Sequence, residues 1–375
     1  MKSKLNTRSL NLGFEGGFTM KRKLYLILTL VILSSMVLVA TGCGQPQETT
    51  APEAEEAGEK EKTEETETSV LAEDHSDDEY IYVSSMGNLE FFNAHKYGWK
   101  LAGEQLGVKT SYVGPAEYDM NAMVAAFDQA IARKPKGIVV FAVEPVLEPS
   151  INKAVEAGIP VVTILGDLPN TKRLAFVGSY QYDLGYVGGE NLAEAIGGEG
   201  KVAVLSIPGV QMFDDREEGY RAAFAEYPDI EVVQVGDTKA DTVTSINTAK
   251  DILQRFPDLA AFACTDSTGG IGAATAVEEL GMVGEVDIVS MDRNSDVLQK
   301  IKEGVVTGTV AQNDAAMAYW ALLVLYHYSY NQAPLTSDNA AAGVNPGPSK
   351  VFTAVNYVDK SNLEYFLEAN EMYEP

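Results

Sequence analysis

The sequence predicts an α/β protein of two doubly wound lobes, each built on a mainly parallel sheet. Three observations carry that prediction. First, residues 134–167 read KPKGIVVFAVEPVLEPSINKAVEAGIPVVTILGD. A short apolar run at 137–142 precedes Leu147, Ile151, Ala154 and Val155 at helical spacing, and a second run follows at 161–164. Gly158 and Pro160 stop the helix between them. Strand, helix and strand over this length form a βαβ unit with parallel strands buried on both faces. Second, the same alternation restarts after residue 182. Third, the halves echo each other: FAVEP at 141–145 matches FACTD at 262–266, and AGIPVVTILGD at 157–167 matches VGEVDIVSMD at 283–292. In each half two successive strands end in acidic residues. Ligands of open parallel sheets bind beyond the carboxyl ends of the strands, so two facing acidic rims would enclose a cleft.

Along the chain, Lys21, Arg22 and Lys23 precede an uncharged apolar run at 24–39. A basic segment before a run of this length reads as an export signal, and the run is short for a bilayer span of about twenty residues. LVATGCGQ follows, with small residues at Ala40 and Gly42 before Cys43. That order resembles a bacterial lipobox, which makes Cys43 the lipidated mature N-terminus and residues 1–42 the signal peptide. Residues 1–19 lack signal character, and Met20 is a second candidate start. Residues 44–79 hold 14 acidic residues against two lysines and almost nothing apolar. Together with Cys43 they read as a disordered, self-repelling tether over 43–79.

The folded body begins with a strand at 81–83, the loop SSMGNLEFF and a helix to about residue 106, ended by Gly107. A strand at 109–113 and a helix at 121–133 lead into the central unit, after which 173–177 is a short strand. Residues 179–182 cross out of the lobe. The second half reads helix 183–196, strand 201–206, loop IPGVQMFDD, helix through 227, strand 230–235 and helix 241–256. Strand 259–264, helix 269–280 and strand 286–291 continue it. A strand at 305–311, an apolar helix at 315–330, a late strand at 351–355 and a terminal helix at 360–369 finish the chain. Further crossings are expected at 312–313 and 345–350. One lobe is then 80–181 plus 313–345, and the other 182–312 plus 346–375. A chain of 375 residues, 46% hydrophobic, suffices for both.

Composition and motifs exclude several classes of function. With 28 basic against 54 acidic residues, net −26, the chain is ill suited to neutralising phosphates, so no nucleic-acid partner is expected. No G-x-S-x-G, H-E-x-x-H or Walker loop occurs, and no nucleophile–base pair is visible, so no enzyme is expected. No metal spacing or disulfide framework occurs either, and Cys264 lies in an apolar run as a small core residue. His95 and His327 fall in helix bodies as packing or surface residues. GGIGAA at 269–274 lacks the third glycine of a dinucleotide turn, and no cofactor is expected. Polar groups do gather at strand ends: Asp266, Asp292 and Gln312 follow three apolar runs, and Arg216 lies near a helix start. Phe91 and Phe92 open the first helix. Carboxylates accept hydrogen bonds from hydroxyls, Arg and Gln donate them, and aromatic faces cover the C–H face of a sugar. The set suits a neutral polyhydroxylated ligand.

From about residue 80 to residue 363 the sequence resembles the ribose-type, type I periplasmic binding proteins of sugar ABC transporters. Its markers are KPKGIVVFAVEP, AVEAGIPVVT, DREEGYRAAF, FPDLAAFACTD, IVSMD, GTVAQ and VNYVDKSN, in order and spacing. The resemblance implies two α/β lobes joined by a three-strand hinge, with a sugar held between them. It implies ring stacking by Phe91 and Phe92 and hydroxyl binding by Arg216, Asp292 and Gln312, with Asn88, Asp167 and Asp266 as further ligand contacts. Three segments depart from the family pattern. Thr265 replaces the Asn before Asp266. TILGD carries Leu165 where the family has the first Asp of T-x-D-S-D, and Asp167 matches the second. GNLEFF replaces N-N-P-F-F, with Leu89 and Glu90 for the second Asn and the Pro. These changes fall on ligand contacts and argue against D-ribose itself.

The expected function is therefore a monomeric, lipid-anchored solute receptor outside the cytoplasm. It would deliver a sugar or polyol to the permease of an ABC importer. The alternative is a receptor module presenting a bound sugar or autoinducer to a sensor kinase or chemoreceptor, and the neighbouring gene discriminates the two. A DNA-binding repressor sharing the fold is disfavoured by the signal segment where a helix-turn-helix would stand.

Overall fold

The structure is a computed structural model and describes residues 74–330 and 334–373. The signal segment, Cys43 and nearly all of the acidic tether lie outside the described residues. Among the described residues no helix is long and apolar enough to cross a membrane.

The first lobe alternates β1 (Glu79–Val83), α1 (Phe91–Leu106), β2 (Lys109–Val113), α2 (Met120–Ala132), β3 (Gly137–Phe141), α3 (Glu148–Glu156), β4 (Val161–Ile164) and β5 (Ala175–Gly178). β3 and β4 are buried at every residue, as a sheet covered on both faces requires. Gly107 ends α1 in left-handed backbone, and Asp119 caps α2 by accepting from the Ala122 amide. The second lobe repeats the alternation in α4 (Gln181–Ala195), β6 (Glu199–Ser206), α5 (Gln211–Phe224), β7 (Asp229–Asp237), α6 (Thr242–Arg255), β8 (Leu259–Cys264), α7 (Ser267–Leu280), β9 (Asp287–Met291), α8 (Ser295–Glu303) and β10 (Gly308–Gln312). The last elements are α9 (Asp314–Ser329), β11 (Lys350–Phe352), β12 (Val355–Val358) and α10 (Leu363–Tyr373).

Two six-stranded sheets result, ordered β11-β5-β4-β3-β1-β2 and β12-β10-β9-β8-β6-β7. All pairings are parallel except β10 with β12, which is antiparallel. The first lobe is completed from far along the chain, because α9 packs on α1 and β11 pairs with β5. At that packing a Cβ on Gly98 would lie 1.9 Å from the Ala315 carbonyl oxygen, so only glycine allows the approach. Likewise α4 and α5 meet at Gly185, where a Cβ would lie 1.8 Å from the carbonyl oxygen of Arg216. That contact fixes where Arg216 sits.

The chain passes between the sheets at Ser179–Tyr180, at Asn313 and at Thr353–Ala354. The third crossing therefore does not fall at 345–350. The expected strand at 351–355 is two short strands in different sheets, divided at Thr353–Ala354, and β11 belongs to the first lobe. α5 starts inside the expected loop IPGVQMFDD: Val210 holds its N-cap position without a side-chain capping bond, so the usual start signal is missing. α8 was not among the expected helices, although Val297, Leu298 and Ile301 bury one face of it.

Candidate functional site

A cavity of about 350 Å³ lies between the lobes at the carboxyl ends of the strands, within the roughly 300–1,000 Å³ usual for small-molecule sites. The second lobe supplies its polar side. Arg216, one and a half turns into α5, is 2% exposed. Its Nε donates to Gln181 Oε1 at 2.8 Å, and its Nη1 donates to the Thr265 carbonyl at 2.7 Å. The guanidinium lies over the Phe213 ring at 5.4 Å. Two of its five N–H groups are spent in these bonds.

Asp266 closes β8 and caps α7, accepting from the Gly269 amide at 3.1 Å. Asp292 follows β9 in left-handed backbone at φ 69° and donates its N–H to the Val310 carbonyl at 2.8 Å. Gln312 ends β10; its Nε2 donates to Asp292 Oδ1 at 3.3 Å, and its buried Oε1 has no partner among the described residues. Burial pushes the Asp292 carboxyl up to about 6, with Arg216 pulling the other way and Asp314 adding to the rise. Burial also raises Asp266, against the pull of the Gly269 amide. Burial lowers Arg216, and Asp292 and Asp266 oppose it. Two buried groups, Arg216 and Asp266, and the half-buried Asp292 thus stand together partly out of water.

The first lobe supplies aromatics. Phe91 and Phe92 meet edge to face at 5.2 Å, and Phe92 lies 5.6 Å from Phe141. Met86, Leu89 and Leu165 complete this wall. Six of the expected ligand residues therefore line one cavity: Phe91, Phe92, Arg216, Asp266, Asp292 and Gln312.

Two expected residues do not line it. Asn88 is exposed on the loop before α1, where its amide donates to the Ala116 carbonyl at 3.1 Å. Asp167 faces a neighbouring cavity of about 310 Å³. Both its oxygens are taken by Arg173, with Nη2 to Oδ2 at 2.6 Å, and Thr163 Oγ1 donates to Oδ1 at 3.0 Å. Three of its acceptor sites are thus used within the first lobe, and it does not line the main cavity. Met86, Phe141, Met212 and Phe213 line the cavity without having been singled out. Their only sequence signal was a place beside strand and helix ends.

At the mouth of the cleft the lobes touch. Glu90, before α1, accepts through Oε1 from the Ser295 amide at 3.0 Å and from the Ser295 hydroxyl, at the first turn of α8. Asn294 at the N-cap of α8 makes no side-chain capping bond, so the other lobe provides one. His95 packs in the core as expected and lies 3.3 Å from the Tyr82 hydroxyl and 3.6 Å from the Asp314 carboxylate. Among the described residues no cluster of His, Cys, Asp or Glu could hold a metal ion.

Two parallel-sheet lobes, three crossings between them and a cavity with an aromatic wall facing a polar one define a bilobal ligand-binding protein of type I architecture. The periplasmic binding protein domain matches residues 80–333, and the chain belongs to that family. A similar curated protein is the D-allose-binding periplasmic protein of Escherichia coli K12, 27% identical over 248 residues, spanning 63% of this chain and 80% of the relative. The solved structure of AraP, an arabinose-binding protein from Geobacillus stearothermophilus, is 34% identical with a TM-score of 0.72, covering 77% of this chain and 99% of that one. A sugar-binding protein of a sugar ABC transporter from Bacillus halodurans is 32% identical with a TM-score of 0.73, covering 77% and 100%.

Proposed function

We propose that this protein captures a sugar or sugar-like polyol in the interlobe cleft and delivers it to an ABC importer. The carrying observation is the pairing across one cavity of Arg216, Asp266, Asp292 and Gln312 with Phe91 and Phe92. Arg216 keeps three N–H groups beyond its internal bonds, and the Gln312 carbonyl oxygen is a buried acceptor with no partner among the described residues. Hydroxyl groups, which both donate and accept, satisfy such a mixed set. The rings of Phe91 and Phe92 cover the C–H face of the same ligand. Membership of the family and the sugar ligands named for its relatives support the same reading.

A thermal-shift screen with D-allose, L-arabinose, D-ribose, D-galactose and myo-inositol tests it. A ligand present at 1,000 times its dissociation constant stabilises the fold by about 4 kcal/mol, which raises Tm by several degrees. A flat response across that panel and a wider set of sugars and polyols would overturn the reading. Cys43, in the order basic, apolar, small, Cys, is proposed as the lipid anchor holding the receptor to the cell membrane. Cys43→Ser should leave the protein unprocessed or shed from membranes, and unchanged fractionation and migration would count against the anchor.

A further inference from the structure

The internal repeat sets one pair of positions against each other across the cleft. Leu165 follows β4 as Asp292 follows β9. Both hold left-handed backbone, at φ 64° and φ 69°. Leu165 donates its amide to Val177 on β5 at 3.1 Å, and Asp292 donates to Val310 on β10 at 2.8 Å. Ile164 pairs with Val177 as Met291 pairs with Val310, so the register confirms the equivalence. The repeat in the sequence suggested Asp167 as the partner of Asp292, but Asp167 lies two residues further on and faces another cavity.

Both Leu165 and Asp292 line the main cavity. Left-handed backbone is a position that Asp enters readily and Leu does not. The fold nevertheless keeps Leu there, 5% exposed, at the place where the second lobe presents a carboxylate. The rest of that wall agrees. Met86, Leu89, Phe91, Phe92, Phe141 and Leu165 are all hydrocarbon or thioether, and among the described residues no polar side chain of the first lobe lines this cavity. Every charged and amide group comes from the second lobe. A hydroxyl closed against these six side chains would find no partner among them, which is unfavourable. A methyl or methylene in its place gains from burial.

Resting on the reading of this cleft as a sugar site, we infer that its ligand is a deoxy sugar. One edge, dense in hydroxyls, meets Arg216, Asp266, Asp292 and Gln312. The edge that faces Leu165 carries hydrocarbon where the parent sugar carries a hydroxyl.

Isothermal titration of the full-length protein with matched pairs tests this: L-fucose against L-galactose, D-fucose against D-galactose, and L-rhamnose against L-mannose. The deoxy member of at least one pair should bind about tenfold more tightly, about 1.4 kcal/mol. Leu165→Asp should cut that ratio to below about threefold, or reverse it, by offering the parent hydroxyl a partner. The ratio is internal to each protein, so a general loss of affinity in the variant does not obscure it. Parent hexoses binding as well as or better than their deoxy partners in every pair would overturn the inference alone. Failure of all six, and of the pentoses and polyols as well, would overturn the sugar reading with it.

Discussion

Arg216 is a structural residue as well as a candidate ligand donor. A ligand donor standing free in an open, wet cleft would leave the ligand-free fold unchanged when lost. The bonds of Arg216 to Gln181 and to the Thr265 carbonyl say otherwise. Arg216→Ala should weaken sugar binding by about two to four orders of magnitude, since two charged hydrogen bonds contribute about 1.5–3 kcal/mol each. It should also cost the ligand-free fold about 1–3 kcal/mol by orphaning a buried carbonyl. Arg216→Lys should rescue little, because an ammonium lacks the planar fork. Calorimetric titration and denaturant melts read the two effects separately, and affinity within about threefold of wild type would remove Arg216 from the site. Asp292 adds a pH dependence. Its folded pKa of about 6 lies above the ordinary 3.8. Between about pH 4 and 6 the folded state binds more protons than the unfolded one, so this group's contribution to ligand-free stability falls as pH rises. Binding runs the other way, because the ionised carboxylate is the better acceptor. Affinity should strengthen from about pH 5 to 7, and Asp292→Asn should flatten most of that change. A flat wild-type profile would contradict the assignment. Arg216, Asp292 and Gln312 were legible from the sequence because each stands next to a recognisable apolar run or helix. Asp167 faces the neighbouring cavity, and its pairing with Arg173, which turns it there, leaves no local signature in the sequence.

At the scale of elements, α8 shows how a helix can escape notice. SDVLQKIKE buries Val297, Leu298 and Ile301 at helical spacing, but it is only nine residues long and follows directly on the IVSMD strand. Its N-terminus is completed by Glu90 from the other lobe. Asn294 at its own N-cap makes no capping bond, so the missing cap could not be read from neighbouring residues. Both ends of this contact are exposed. A carboxylate at an exposed helix N-terminus contributes about 0.3–1 kcal/mol. Glu90→Ala should therefore weaken ligand binding about two- to fivefold by removing a contact that joins the lobes. The difference from wild type should shrink at about 1 M salt, where screening acts over about 3 Å. Titrations at low and high salt check this, and equal affinity of variant and wild type at low salt would show that the contact does not stabilise the bound form. Most other helices and strands were readable within a few residues, because strict burial of the strands and glycine or Asp at helix ends leave clear marks. The successive strands β11 and β12 were read as one, since a two-residue crossing between sheets looks from sequence like a single extended run.

For the whole molecule, the three crossings at Ser179–Tyr180, Asn313 and Thr353–Ala354 are the places where backbone rotation can move one sheet relative to the other. Small-angle scattering should report a smaller radius of gyration once a ligand from the screen is bound, and an unchanged value would count against closure. Two α/β lobes were legible from the repeat, whereas the assignment of residues 346–352 was not: that stretch belongs to the first sheet through β11. The same topology governs the order in which the chain can be built. Synthesis runs from the N-terminus, yet the first lobe draws α9 from 314–329 and its edge strand from 350–352. Its sheet keeps an open edge at β5 until residue 352 has been made, and α1 keeps an uncovered face until residue 329 has been made. Neither lobe can be cut out as one continuous segment, and the first half of the chain cannot reach its final form ahead of the second. A nascent chain of this design cannot close its first lobe before residue 352 has been made, which leaves that lobe threadable through a narrow pore until then.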